Sequence, residues 1–199
     1  MSTVKSKKLQ VGTDATSSNN FTIYQPSTPD GTLRIGVGNA DSPTEVGRFD
    51  SNGYVATNAP TFDAKQNTSQ TGISASTWTK VILNGTNWNI GSGYNTSTGT
   101  FTAPQSGYYQ VNATLYLTWS GSGSAVGVGF YKNGSLHRLN VWSGSAILAT
   151  GGVWDLSSMV SLSENDTLEL YVYIGTATNT SVTATSPHQS FNATLVRAS

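Results

Sequence analysis

Hydrophobic and polar residues alternate with a period of two along much of this chain, and the clearest run follows Gly107. Tyr109, Val111, Ala113, Leu115, Leu117 and Trp119 fall on one face of an extended strand; Tyr108, Gln110, Asn112, Thr114, Tyr116 and Thr118 fall on the other. A second run behaves alike, with Leu168, Leu170, Val172 and Ile174 pointing one way and Glu169, Tyr171 and Tyr173 the other. Turn clusters separate such runs. Asn95-Thr96-Ser97-Thr98-Gly99 offers short polar side chains and a glycine that accept unusual backbone angles, and Ala103-Pro104-Gln105-Ser106-Gly107 is a second cluster. Thr100-Phe101-Thr102, between them, reads as a short strand. The pattern predicts an all-β sandwich in which one face of each strand is core and the other meets water or a partner.

The first 59 residues have another texture, with half of the charged residues and few aromatics. Short strands are expected at 8–11, 21–24, 32–37 and 46–49, split by Pro26, Pro29-Asp30-Gly31, Asp41-Ser42-Pro43 and Ser51-Asn52-Gly53. Each is too short to bury a core, and an isolated hairpin is marginal in water. Such a string needs a partner surface or intertwining copies of itself; a flexible leader, or a small ribbon packed on the rest, is the plainer reading. Ala56-Thr57-Asn58-Ala59-Pro60 reads as the linker, because the residue before a proline is pushed to an extended conformation and small polar residues bury little. The expected organisation is an N-terminal β-rich arm, 1–59, and a head, 60–199.

Composition narrows the function. The chain has 199 residues, so a sandwich of the head's size buries roughly two-thirds of its unfolded surface and needs no covalent staples. Charged residues are only 10% of the chain and the formal net charge is zero, which excludes nucleic acid as a partner because phosphate contacts need clustered Lys and Arg. The absence of cysteine excludes disulfides and thiolate metal sites. The opening residues carry Lys5, Lys7 and Lys8 without an apolar run long enough for a signal peptide, and no segment approaches a membrane span. The expectation is a soluble product made in the cytoplasm.

Tyr94-Asn95, Thr98-Gly99, Phe101, Ala103-Pro104, Gly107 and Tyr109 stand at spacings that resemble the C1q/TNF-like family of trimeric jelly rolls. The resemblance extends outward. Pro60-Thr61-Phe62-Asp63-Ala64 is similar to the family's opening strand and Lys132-Asn133-Gly134 to its mid-domain hairpin. Leu162-Ser163-Glu164-Asn165-Asp166-Thr167-Leu168 is similar to its penultimate turn and strand, and Phe191-Asn192-Ala193-Thr194-Leu195 to its closing strand. It implies a homotrimer of jelly rolls packed about a three-fold axis lined by aromatics. The outward tyrosines Tyr108, Tyr116, Tyr171 and Tyr173 are then expected at the trimer interface, since aromatics bury large areas while keeping a hydroxyl bonded. Thr194 joins them, at a position often aromatic in the family. The animal members are secreted and carry a collagen stem, and neither feature is expected here.

Candidate chemistry is sparse. A Ser-His-Asp set can be assembled on paper from His137, Asp155 and a serine, but no Gly-x-Ser-x-Gly accompanies it. Glu164, Asp166 and Glu169 cluster, and the turn Ser163-Glu164-Asn165-Asp166-Thr167 accounts for them without a glycosidase cleft. With Asp63 and Asp155 they are the head's carboxylates; they form no Asp-x-Asp run, so calcium would need copies meeting at an axis. Asn84-Gly85-Thr86, Asn112-Ala113-Thr114 and Asn192-Ala193-Thr194 read as ordinary surface polarity rather than glycosylation acceptors. Among the tryptophans, alternation sends Trp119 to the core. Trp142 and Trp154, near Ser143-Gly144-Ser145 and Gly151-Gly152, are candidates for a ligand rim on which a sugar face stacks, core plugs being the other reading.

No enzyme and no cofactor are expected. Arm strings such as Thr32-Leu33-Arg34-Ile35-Gly36 and Arg48-Phe49-Asp50-Ser51-Asn52-Gly53-Tyr54-Val55 resemble the N-terminal regions of bacteriophage fibre and capsid-decoration proteins. The expected role is a trimeric capsid cement or decoration protein on the exterior of a virion, docked on the major capsid protein or another virion protein through residues 1–59. The alternatives are the tip of a short tail fibre that recognises host surface glycan, and a bacterial or secreted C1q-like binding module.

Overall fold

Period-two alternation in the first part of the chain folds it into one antiparallel sheet. The computed structural model describes residues 8–12, 14–16, 19–50, 59–121, 125–143, 151–184 and 188–198, together with the backbone of 55–57. Strands β1 (Lys8–Val11), β2 (Phe21–Tyr24), β3 (Leu33–Val37), β4 (Thr44–Phe49) and β5 (Val55–Thr57) lie side by side in chain order. Pairing places Leu9, Ile23 and Ile35 in one row and Val11, Phe21 and Val37 in the next, all on one face. On the other face Arg34 bridges Asp30 and Glu45, and Arg48 pairs with Glu45 as well. The linker is shorter than the sequence suggests. Val55–Thr57 pair with β4, Thr57 opposite Gly47, because the β-branched Val55 and Thr57 extend an existing sheet edge; only 58–60 remain between β5 and the next strand. The turn expected at Ser51-Asn52-Gly53 lies outside the described residues.

The chain divides into two units, Met1–Asn58 and Ala59–Ser199. In the second, β6 (Thr61–Lys65), β7 (Gln70–Ile73), β8 (Thr79–Lys80), β9 (Gly85–Ile90), β10 (Tyr94–Asn95) and β11 (Thr100–Thr102) precede the longest strand, β12 (Gly107–Ser120). After it come β13 (Ala125–Lys132), β14 (Ser135–Ser143), β15 (Gly151–Leu162), β16 (Thr167–Ile174), β17 (Thr178–Val182) and β18 (Ser190–Ala198). One sheet runs β7-β17-β12-β18-β6-β9 with β15 on the free edge of β12; the other runs β10-β11-β16-β13-β14 with β8 beside β16. The order is that of a jelly roll.

The alternation of β12 and β16 is realised residue for residue. Tyr109, Val111, Ala113, Leu115, Leu117 and Trp119 are buried against Leu168, Leu170, Val172 and Ile174 of the opposite sheet. At the centre Phe62 stacks on Tyr94 and Phe101 at centroid distances of 4.7 and 4.8 Å and meets Phe191 edge-on at 5.1 Å. The buried phenols keep their hydrogen bonds: Tyr94 donates to the Leu83 carbonyl at 3.0 Å and Tyr109 to that of Gln105 at 2.7 Å. Burial pushes the Tyr94 phenol well above its ordinary pKa, so it stays a donor. The β13–β14 hairpin turns on Asn133 and Gly134, both in the left-handed region (φ 50° and 75°), which is why Asn-Gly serves there.

Candidate self-association face

Each sheet of the sandwich turns one face outward, and the two faces differ. On the seven-stranded sheet the register lines up outward side chains in rows across five strands. One row reads Ile90, Thr61, Thr194, Gln110 and Met159; the next reads Trp88, Asp63, Asn192, Asn112 and Ser157. Further along β12, Tyr116 stands opposite Val153. The first row has apolar ends, Ile90 on β9 and Met159 on β15, with polar residues between; the second is apolar only at Trp88 and ends on β15 in Ser157. Trp88 is 49% exposed and Met159 48%, with Ile90, Val153 and Tyr108 similarly open.

The polar strip is bonded within the chain. The Gln110 amide donates to Ser157 Oγ at 3.0 Å and to Asn112 Oδ1 at 3.2 Å; the Ser157 hydroxyl donates to Asn112 Oδ1 at 2.8 Å; the Asn112 amide donates to Asn192 Oδ1 at 3.1 Å. Thr61 and Thr194 share a hydroxyl bond of 2.8 Å, and the Trp88 indole N–H reaches Thr61 Oγ1 at 3.4 Å. Trp88 and Ile90 on β9 and Met159 and Val153 on β15, either side of a strip of side chains bonded to one another, make this face a candidate for contact with a second copy.

The five expected interface residues therefore separate. Tyr108, Tyr116 and Thr194 lie on this face; Tyr171 and Tyr173 lie on the outward face of the six-stranded sheet, on the far side of the core. What covers them there is the chain itself. Trp78 lies against Tyr173 and Tyr131 at 5.6 and 6.2 Å, and Tyr131 stacks on Tyr171 at 3.9 Å. Burial, and then the neighbouring Glu169, raise the Tyr171 phenol above its ordinary range. The indole fits because Gly127 and Gly129 leave the β13 surface bare: a Cβ at Gly127 would stand 2.9 Å from Trp78 Cη2. Trp78 was not singled out from the sequence, although the alternation Gly127-x-Gly129 in a strand signals a close approach. Trp88, Val153 and Met159 were also missed; their signal is an apolar residue on the outward phase of a strand.

The two rim tryptophans separate too. Trp154 is a core residue, 8% exposed, set between Trp119 at 5.2 Å and Trp142 at 6.4 Å. It faces inward because it shares the phase of Val160 and Leu162 on β15. Trp142 is half-buried at the end of β14. Of the glycine segments beside them, 144–145 lies outside the described residues and Gly151-Gly152 open β15.

The polar candidates take structural posts. Asp166 accepts from the Asn133 amide at 2.7 Å and the Ser163 N–H at 2.8 Å and pairs with Lys132 at 2.9 Å, locking the β15–β16 turn to the β13–β14 hairpin. Those donors hold its carboxyl down at about 2. Glu169 pairs with Lys80 at 2.6 Å, and the backbone N–H of Glu164 donates to Ser106 Oγ at 2.8 Å. His137 lies on β14 in one sheet and Asp155 on β15 in the other. Among the described residues no three His, Cys, Asp or Glu gather as metal ligands, and no helix is long and apolar enough to cross a membrane.

A two-sheet jelly roll of this strand order defines the C1q/TNF class of folds. A family model for the C1q domain matches residues 61–193, and the chain belongs to that family. Among solved structures it is similar to the globular domain of a zebrafish complement 1qA protein (TM-score 0.53, 13% identity), over 70% of this chain and 99% of that one. It is also similar to the Eiger TNF of S. frugiperda (TM-score 0.51, 14% identity, 71% and 93% covered) and to murine APRIL (0.51, 12%, 69% and 98%). At such identities these likenesses speak for the fold alone. A search by sequence among curated proteins found no match.

Proposed function

We propose that this protein is a non-enzymatic structural component of a bacteriophage virion: a homotrimer of jelly-roll heads, carried as a capsid cement or decoration protein and docked on the shell through its N-terminal arm. The observation that carries the reading is the outward face of the seven-stranded sheet. Its two apolar flanks and internally bonded polar strip suit burial by identical neighbours, and nothing in the head gathers into a catalytic constellation among the described residues. The arm, a separate sheet of five strands, supplies the docking element. Three tethered arms raise the effective concentration of each docking step, so weak single contacts sum to durable attachment. A receptor-binding fibre tip is the second reading, and the half-buried Trp142 at the end of β14 is the feature that favours it.

Light scattering of the full-length protein tests the core of this. Three chains of 20.9 kDa give about 63 kDa. Met159→Glu, which sets a charge in the β15 flank, is expected to leave a folded chain of single-copy mass; an unchanged mass in that variant refutes the face. Immunogold on particles then separates the two readings, many copies over the head for cement against a few at the tail for a fibre tip.

A further inference from the structure

The arm sheet leaves its apolar face uncovered. The rows Leu9-Ile23-Ile35 and Val11-Phe21-Val37 are continued at one end by Leu33 beside Phe49. Leu9 is 59% exposed, and Val11, Phe21, Ile23, Leu33 and Phe49 are exposed with it. No charged residue stands within these rows; the ion pairs of Arg34 and Arg48 lie on the opposite face. These side chains form one apolar face open to water, the kind of patch that marks a contact surface.

We propose that this face is covered by the same face of two further copies, so that three arm sheets close around one axis into a three-sided stem with apolar rows inward and ion-paired faces outward. The inference rests on the trimeric reading of the head. A charge-free face is complementary to itself, as a homomeric contact requires. Only residues 58–60 separate β5 from β6, and β6 belongs to the sheet whose outward face is read as the head contact. Whatever joins three heads thus holds three arm sheets within reach of one another at millimolar effective concentration. The size fits a tethered contact: a free-standing interface takes about 20–30 residues on each partner, more than the eight apolar residues of this face, whereas copies already joined need less. The stem leaves the charged outer faces and the turns around Pro26 and Pro43 for contact with a shell.

The chain has no cysteine, so one can be placed at will. Full-length Ile23→Cys, on the apolar face, and Gln10→Cys, on the opposite face of the neighbouring strand, are each treated with a short bismaleimide and run on a denaturing gel beside light scattering. The expected result is a covalent dimer at least tenfold more abundant in Ile23→Cys than in Gln10→Cys, with three-chain mass in both. Ile35→Cys reads the same row should Ile23→Cys fail to fold. Equal yields, or no dimer from the apolar-face variants while the mass remains that of three chains, overturns the stem and leaves the head trimer standing. A single-chain mass overturns both.

Discussion

Replacing Gly127 by alanine tests whether the chain itself, rather than a partner, covers the six-stranded sheet. The added Cβ would stand 2.9 Å from Trp78 Cη2 and 3.1 Å from Val141 Cγ2, against an optimum of about 3.5–4.0 Å for carbon pairs. The indole must shift by about 0.6 Å or more, and Tyr131 and Tyr173 at its sides resist that. Overpacking of this kind costs about 1–3 kcal/mol. Gly127 does not adopt a positive φ, so alanine returns roughly 0.5–1 kcal/mol by restricting the unfolded chain. The net expectation is about 1 kcal/mol of destabilisation. In a Trp78→Ala background the indole is gone and the same substitution becomes neutral or mildly stabilising, a coupling on the order of 1–2 kcal/mol. Urea unfolding followed by far-UV circular dichroism at one fixed protein concentration measures all four corners of the cycle, the fixed concentration being required because any association of copies would add to stability. If Gly127→Ala costs the same with and without Trp78, the glycine floor is not what seats the indole and the argument fails.

Two further outcomes follow from the same geometry. Tyr171→Glu with Tyr173→Glu is expected to lower the urea midpoint while leaving the mass by light scattering unchanged, because these side chains pack on Tyr131 and Trp78 of their own chain; a fall to single-chain mass would return them to the interface. Asp166, held at about 2 by the Asn133 amide, Lys132 and the Ser163 N–H, has a folded pKa below its ordinary 3.8, so its stabilisation is present above pH 3.8 and lost as pH falls toward 2. Asp166→Asn should therefore lower the urea midpoint at pH 5 and approach the wild type at pH 2, the difference between the two isolating Asp166 from Asp30, which is depressed in the same way; a gap unchanged between those pH values would refute it.

Local alternation made the sandwich and its core legible. In β12 and β16 every second residue is buried as the period requires, because each strand has one wet face and one dry face and the sequence records which is which. What covers an outward face is not recorded locally. Tyr173 looked unpartnered because Trp78 reaches it from a segment more than 90 residues earlier, and Tyr171 because Tyr131 stacks on it from the neighbouring strand; the trace of the indole's approach was the pair of glycines in β13. Trp154 was legible in principle: it shares the phase of Val160 and Leu162, but the preceding Gly151-Gly152 suggested a loop where β15 already runs. The strand β5 was hidden because it is only three residues long, and the edge of β4 gives those residues a place.

The polar strip on the seven-stranded sheet has a consequence for how that face can be buried. An amide covered by a neighbour loses its water, and leaving it unpaired costs more than a new contact returns. Here Asn112 accepts from both Gln110 and Ser157 and donates to Asn192, Thr61 bonds Thr194 and the Asn87 amide donates to Asp63, so much of the centre of the face is bonded before any neighbour arrives. Covering it removes little that the chain has not already replaced, and the apolar flanks at Trp88 and Met159 are left to supply the driving force. The same logic distinguishes the head from the arm sheet. In the proposed trimer the head carries its own polar bonding into the contact, whereas the arm's apolar face has no polar centre to fix an orientation and would take it from the head. On that proposal register about the axis would be a property of the jelly roll, and the arm would contribute area to an arrangement the head sets.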